Sequence, residues 1–208
     1  MALTFQHRAE ERSGARVALF PGAWNPPTVA HVAMARAALR YVDETIWLLP
    51  RAFPHKGFEG ASFGQRIDML CRIARAERGF SVAVCEGGLY FEMAREAEET
   101  LGTGAEISLL CGKDAAERIA GWDYGRPGVF DEMVDRYRLL VAERAGDYLP
   151  EARHTERVVR VVLGEFDEVS STELRRRIAG GMDWRHLAPE AIADAAIRIY
   201  GGASRNAS

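Results

Sequence analysis

Cysteine, long apolar runs and net charge are all scarce in this chain of 208 residues. Its three cysteines, Cys71, Cys85 and Cys111, are odd in number and lack metal-ligand spacing. That excludes a disulfide scaffold or a metal centre built on them, and predicts reduced, buried thiols in a cytoplasmic protein. No uninterrupted apolar stretch approaches membrane-spanning length. The 27 Lys and Arg face 30 Asp and Glu, a formal charge of −3, so neither nucleic acid nor a membrane surface has an electrostatic case as partner. There is no internal repeat or low-complexity linker, and neither a Ser-His-Asp nor a paired-carboxylate pattern.

What is present is 48% hydrophobic residues, enough for a sizeable core, in strand-like and helix-like segments that alternate. Strands are predicted at 16–20, 45–50, 80–84, 106–111 and 137–143, with a sixth at 157–163. Helices are predicted from Val29 to Tyr41, after the Ser62/Gln65 capping box, and at 91–101, 114–120, 171–179 and 189–200, with Pro189 at a first helical position. The helix after Ser62 places Phe63, Ile67, Leu70 and Ile73 on one stripe. Strands alternating with helices define an α/β protein: a doubly wound, mostly parallel Rossmann-like sheet with helices on both faces. Residues 1–15, too charged for a signal peptide, are expected to be a flexible tail, and the polar end "GGASRNAS" is expected to fray. Residues 16–202 form one domain, with 165–202 its C-terminal helical part.

Ligands of such sheets sit at the carboxyl ends of the strands, near the switch in strand order. The loop "LFPGAWNPPTVAH" (19–31) follows the first predicted strand and falls at that edge. Gly22 lets backbone approach a ligand, and Pro26 and Pro27 keep the helix from starting before Thr28, a suitable N-cap. Thr28 and His31, three residues apart, would then face an anion at a helix N-terminus. Thr-x-x-His alone is satisfied by an ordinary capped helix. A second block, "VSSTELRRRIAGG" (169–181), has the same character. Ser170 with Glu173 reads as a capping box, Ser171 and Thr172 offer donors, and Arg175 reaches the same anion from one turn in.

The first block resembles the "GGTFDPPHxGH" signature of the nucleotidylyltransferase family, the second its "ISSTxIRxRL" block, and they come in the family's order. The nicotinate mononucleotide adenylyltransferase branch is the most similar. The resemblance implies the HxGH-type nucleotidylyltransferase fold over residues 16–200. It also implies AMP transfer from ATP to nicotinate mononucleotide with release of pyrophosphate, a step of NAD synthesis. Thr28, His31, Lys56 and Arg175 would carry the catalysis. Gly22, Ala23, Trp24, Gly112, Asp114, Ser170, Ser171 and Thr172 would bind the nucleotide, and Asn25, Tyr90, Trp122 and Arg144 the acceptor. Lys56 comes from the segment "LLPRAFPHKGFEG", Gly112, Asp114 and Trp122 from "LLCGKDAAERIAGW", and Arg144 from "VAERAG". Read without the family, Lys56 is a solvated lysine, Asp114 a helix cap and Trp122 a core residue.

Magnesium would arrive on the substrate phosphates, with no dedicated protein cage. The implied partners are small molecules, ATP and a phosphorylated mononucleotide, and a homo-oligomer is compatible with the reading. The family's "YTxxT" element falls on "LYFEMA", where Tyr90 is kept but Phe91 and Ala94 replace the threonines. That leaves the acceptor open and predicts weak discrimination between the nicotinate and nicotinamide forms. The alternatives are another phosphorylated acceptor or a catalytically silent nucleotide-binding module.

Overall fold

Three consecutive strands of this chain are buried end to end or nearly so: Arg16–Pro21, Glu44–Pro50 and Phe80–Cys85. Continuous burial means that both faces of the sheet are covered, as in parallel sheets with crossover helices. The computed structural model describes residues 2–10, 15–52, 60–143, 148–163, 166 and 169–204. In chain order the strands are β1 (Thr4–His7), β2 (Arg16–Pro21), β3 (Glu44–Pro50), β4 (Phe80–Cys85), β5 (Glu106–Gly112), β6 (Arg138–Glu143) and β7 (Val158–Val162). The helices are α1 (Val29–Ala38), α2 (Phe63–Ala76), α3 (Tyr90–Leu101), α4 (Lys113–Ala120), α5 (Val129–Arg136), α6 (Ser171–Ala179) and α7 (Ala193–Tyr200).

The seven strands lie in the order β1-β4-β3-β2-β5-β6-β7, and every pair but β1·β4 is parallel. β2 pairs with β3 on one side and β5 on the other. The strand order therefore reverses between β2 and β5, where a crevice opens at the carboxyl ends. Alternation along each strand divides the core in two. Ala18, Phe20, Trp47 and Leu49 face the side covered by α1, α2, α6 and α7. Val17, Leu19, Ile46 and Leu48 face the side covered by α3, α4 and α5.

Several boundaries differ from expectation for local reasons. The first helix stops at Ala38 rather than Tyr41, and a tight turn follows in which Tyr41 N–H donates to Ala38 O (2.8 Å). Pro189 precedes a 3₁₀ turn, Glu190–Ile192, and α7 starts only at Ala193. At the C-terminus, Gly201–Ser204 forms a further 3₁₀ turn, and residues 205–208 lie outside the described residues. Helix α5 was not legible: it has eight residues, of which only Val129, Met133 and Val134 are buried.

The larger correction concerns residues 1–15, expected to be a flexible tail. Thr4–His7 adds an antiparallel strand to the free edge of β4. Its anchor lies just beyond it. Arg8 forms a two-pronged ion pair with Glu44 (3.1 Å for each prong), which is 1% exposed, and the Ser81 hydroxyl also donates to Glu44. Ala9 N–H donates to Ser81 Oγ (2.9 Å). A charged segment that seems solvated in sequence is thus held by the buried acid it neutralises. Arg8→Ala leaves that acid without its cation and should lower stability by about 2 kcal/mol, less than for a fully enclosed pair because Arg8 is partly solvated. Urea unfolding measures this, and an unchanged midpoint would show that the N-terminal strand has no such anchor.

Candidate functional site

At the switch point between β2 and β5 lies a cleft of about 1040 Å³. Its walls are the loop after β2 (Pro21 to Asn25), the start of α4 (Gly112 to Asp114), the start of α3 (Leu89 and Tyr90) and the N-terminus of α6 (Ser171, Thr172 and Arg175). His31, Trp122 and Tyr124 also line it. The cleft therefore gathers Gly22, Ala23, Trp24, Asn25, His31, Tyr90, Gly112, Asp114, Trp122, Ser171, Thr172 and Arg175 from widely separated parts of the chain. Lys56 and Arg144 lie outside the described residues.

The loop after β2 is fixed from several directions. Gly22 N–H donates to Leu48 O (3.1 Å), and Arg66, 4% exposed, donates to Ala23 O (3.2 Å). The Asn25–Pro26 bond is cis, and its two carbonyls are held by α6: Arg175 donates to Asn25 O and the Ser171 hydroxyl to Pro26 O (2.7 Å). The Asn25 side-chain oxygen accepts from Tyr200 (2.6 Å) and from Ala61 N–H (3.2 Å). Of the two expected anion-binding helix starts, one thus directly braces the loop that leads to the other.

Three expected roles change on this geometry. Thr28 caps α1 but is fully buried, so its hydroxyl does not reach the cleft. It meets His31 Nδ1 at 2.8 Å, and the Thr28 backbone N–H donates to the same nitrogen at 3.0 Å. A backbone N–H can only donate, so Nδ1 is the acceptor and the ring proton resides on Nε2. Trp24, at φ 52, is 3% exposed; its indole N–H donates to Leu48 O (2.7 Å) and its ring packs on Phe20, Trp47 and His31. It orients the histidine from within the core. Gly22 is demanded by that same indole, because a Cβ there would stand 2.6 Å from Trp24 Cζ2.

At α6, Ser170 accepts from Glu173 N–H (3.1 Å), as a cap should, but does not line the cleft. The capping box stays half made. Glu173 turns instead to Arg176 and Arg177, whose hydrogen bonds hold its carboxyl down at about 2. The first amides of the helix, at Ser171 and Thr172, have no intrahelical acceptor and point at the same end as Arg175.

Around α3 and α4, burial pushes the Tyr90 hydroxyl well above its ordinary range; Cys111 adds to this and Arg118 opposes it. Burial also raises the Tyr124 hydroxyl and the Cys111 thiol to about 12 each. The Cys111 sulfur in the cleft wall is therefore a protonated apolar group at neutral pH and not a nucleophile. Lys113, Arg118 and Tyr124 line the cleft and were not singled out from sequence. Arg118 could have been, since it stands four residues after Asp114 and so shares a helix face with it.

A doubly wound sheet with two helix N-termini, a histidine and an arginine converging on its switch-point crevice defines a protein that binds a phosphorylated nucleotide. The cytidylyltransferase-like family model matches residues 19–177, and the chain belongs to that family. Among curated relatives, a probable nicotinate-nucleotide adenylyltransferase of Gloeobacter violaceus is 31% identical over 195 residues, covering 86% of this chain and 92% of the relative. One from Anaeromyxobacter dehalogenans is 33% identical over 202 residues, covering 91% and 98%. The fold is similar to that of Plasmodium falciparum nicotinic acid mononucleotide adenylyltransferase complexed with NaAD, with a TM-score of 0.67 at 16% identity over 88% of this chain and 95% of that one.

Gly22→Ala tests the packing argument. The added methyl should destabilise the fold by about 1–3 kcal/mol, and the loss should shrink in a Trp24→Phe background, where the indole is smaller. A double-mutant cycle read by thermal melting measures the coupling; strictly additive losses would mean that the indole is not what demands glycine.

Proposed function

We propose that this protein transfers AMP from ATP to nicotinate mononucleotide and releases pyrophosphate, the adenylylation step of NAD synthesis, in the cytoplasm. The observation that carries the proposal is the convergence of His31, Arg175 and the N-terminus of α6 on one cleft, together with the names of relatives that match most of the chain.

An oxygen of the acceptor phosphate attacks the α-phosphorus of ATP. The bond from that phosphorus to the bridging oxygen breaks, and pyrophosphate leaves with the electron pair. A phosphate monoester has a second pKa of about 6, so the nucleophile is already charged at neutral pH and no general base is required. What the protein supplies is in-line positioning and stabilisation of developing negative charge. His31 donates from Nε2 to an α-phosphate oxygen, its tautomer held by Thr28. Arg175 and the amides of Ser171 and Thr172 hold the β- and γ-phosphates. Asp114 takes the ribose hydroxyls at the close approach left by Gly112, and Trp122 stacks on a ring of the acceptor.

A magnesium ion would enter this cleft as a passenger on the triphosphate, and would supply neutralisation of phosphate charge. Among the described residues, Asp114 is the one carboxylate in the lining, and no group of three or more His, Cys, Asp or Glu could hold a metal. The ion would keep mostly water and phosphate ligands. No helix of the described residues is long and apolar enough to cross a membrane.

Pyrophosphate release measured with several phosphorylated acceptors tests the proposal, and turnover with none of them would favour a binding module. His31→Ala should lower kcat by about 10²–10³ while ATP binding and melting temperature change little. Thr28→Val, which keeps the shape but loses the hydroxyl to Nδ1, should show a milder fall in kcat of the same kind. Near-normal kcat in His31→Ala would make His31 structural. Arg175→Ala should weaken ATP binding and turnover by about 2–4 kcal/mol. Arg176→Ala should be nearly silent, because Arg176 pairs with Glu173 in solvent. Equal effects of the two substitutions in ATP titration would refute the assigned helix phase.

A further inference from the structure

Replacement of the two expected threonines by Phe91 and Ala94 raises the question of what, if anything, reads the charged substituent on the acceptor ring. Ala94 is fully buried in the core, and Phe91 packs beside Arg95. The N-terminus of α3 is the obvious anion site nearby, yet it is already occupied. Glu92 accepts from Gly88 N–H (2.9 Å) and Leu89 N–H (3.0 Å), and Glu96 accepts from Glu86 N–H (3.0 Å) and Gly87 N–H (2.6 Å). The two carboxylates satisfy the amides of the loop that leads into α3, and their charge at that helix end repels a third.

Arg118, in the last turn of α4, lines the same cleft, as does Trp122 just beyond the end of that helix. It lines the cleft together with Tyr90 and Tyr124, and its charge acts on the Tyr90 hydroxyl. Asp114, one turn before it, is spaced for an ion pair that does not form: among the described residues Arg118 makes no hydrogen bond or ion pair. An exposed guanidinium in a cleft wall, beside an aromatic plate and two phenols, is matched to a planar carboxylate on an aromatic ring, which it can grip with two parallel N–H groups.

We infer that Arg118 recognises the carboxylate of the acceptor's pyridine ring and sets the preference for the acid over the amide form. This rests on the proposed adenylyl transfer and names the residue that gives it selectivity. Of the other cations lining the cleft, Arg175 is engaged with the loop carbonyl of Asn25. Lys113 is the first residue of α4, beside Gly112 and Asp114, and projects about 140° around the helix from Arg118.

The test is steady-state kinetics at saturating ATP with nicotinate mononucleotide and, separately, nicotinamide mononucleotide. In Arg118→Ala the acid-to-amide ratio of kcat/KM should fall by about ten- to hundredfold, the worth of one charge-assisted contact. The loss should appear mainly in KM for the acid. Arg118→Lys should recover part of the ratio, since it restores the charge without the fork, and Lys113→Ala should leave the ratio where it was. An unmoved ratio in Arg118→Ala, or an equal fall in Lys113→Ala, overturns the assignment while the adenylyl transfer stands. A wild-type enzyme that turns over neither mononucleotide overturns the transfer reading, and this inference falls with it.

Discussion

The cleft depends on the capture of two loop carbonyls, those of Asn25 and Pro26, by side chains that arrive from nearly 150 residues later. A loop between a strand and a helix has backbone groups that neither element can satisfy, and buried groups of that kind must find partners elsewhere. Here Ser171 and Arg175 supply them from the first and second turns of α6, and Tyr200 adds a hydroxyl at the Asn25 side chain. The same contacts that satisfy the loop also set the distance between His31 at the start of α1 and the amides at the start of α6. Stability and site geometry are in this respect one property, so a substitution that loosens the clasp would also misplace the groups that line the cleft.

Around His31 the arrangement is equally economical. Trp24 turns inward at a left-handed backbone angle, fills the core beside Phe20 and Trp47, and meets the imidazole edge-on at a ring-centre distance of 5.2 Å. Thr28 holds the other side of the ring through Nδ1. Packing thus fixes where the imidazole stands, and hydrogen bonding fixes which nitrogen carries the proton. A donor that needs no reorganisation at the moment of reaction is worth far more than one that must find its place.

How much of this was legible in the sequence follows from the range of the interactions. The parallel sheet could be read because buried strands are continuous apolar runs separated by amphipathic helices. The cleft could be placed because the loop follows the strand beside which the order reverses. Local patterns also disclosed Ser170 as a cap and put Arg175 one turn in, on the cleft side of α6. Hidden were the features that need a partner distant in sequence. Nothing local in "TFQH" announces a strand, because its stabilisation comes from Glu44 and Ser81 through Arg8 and Ala9. Thr28 looked like a phosphate ligand because spacing reports direction around a helix but not burial. Gly22 lines the cleft, but its second reason for being glycine was hidden, because the indole that requires it folds back into the core from two residues away.

The clasp also carries a consequence for synthesis on the ribosome. The loop after β2 and His31 emerge before β3, and β2 to β5 can begin to pair once Gly112 is made. The groups that lock the loop, Ser171, Arg175 and Tyr200, emerge only after β7. A nascent chain can therefore hold a sheet and a core long before it holds a working cleft. Competence therefore waits for α6 and α7, which both complete the core on one face of the sheet and lock the loop.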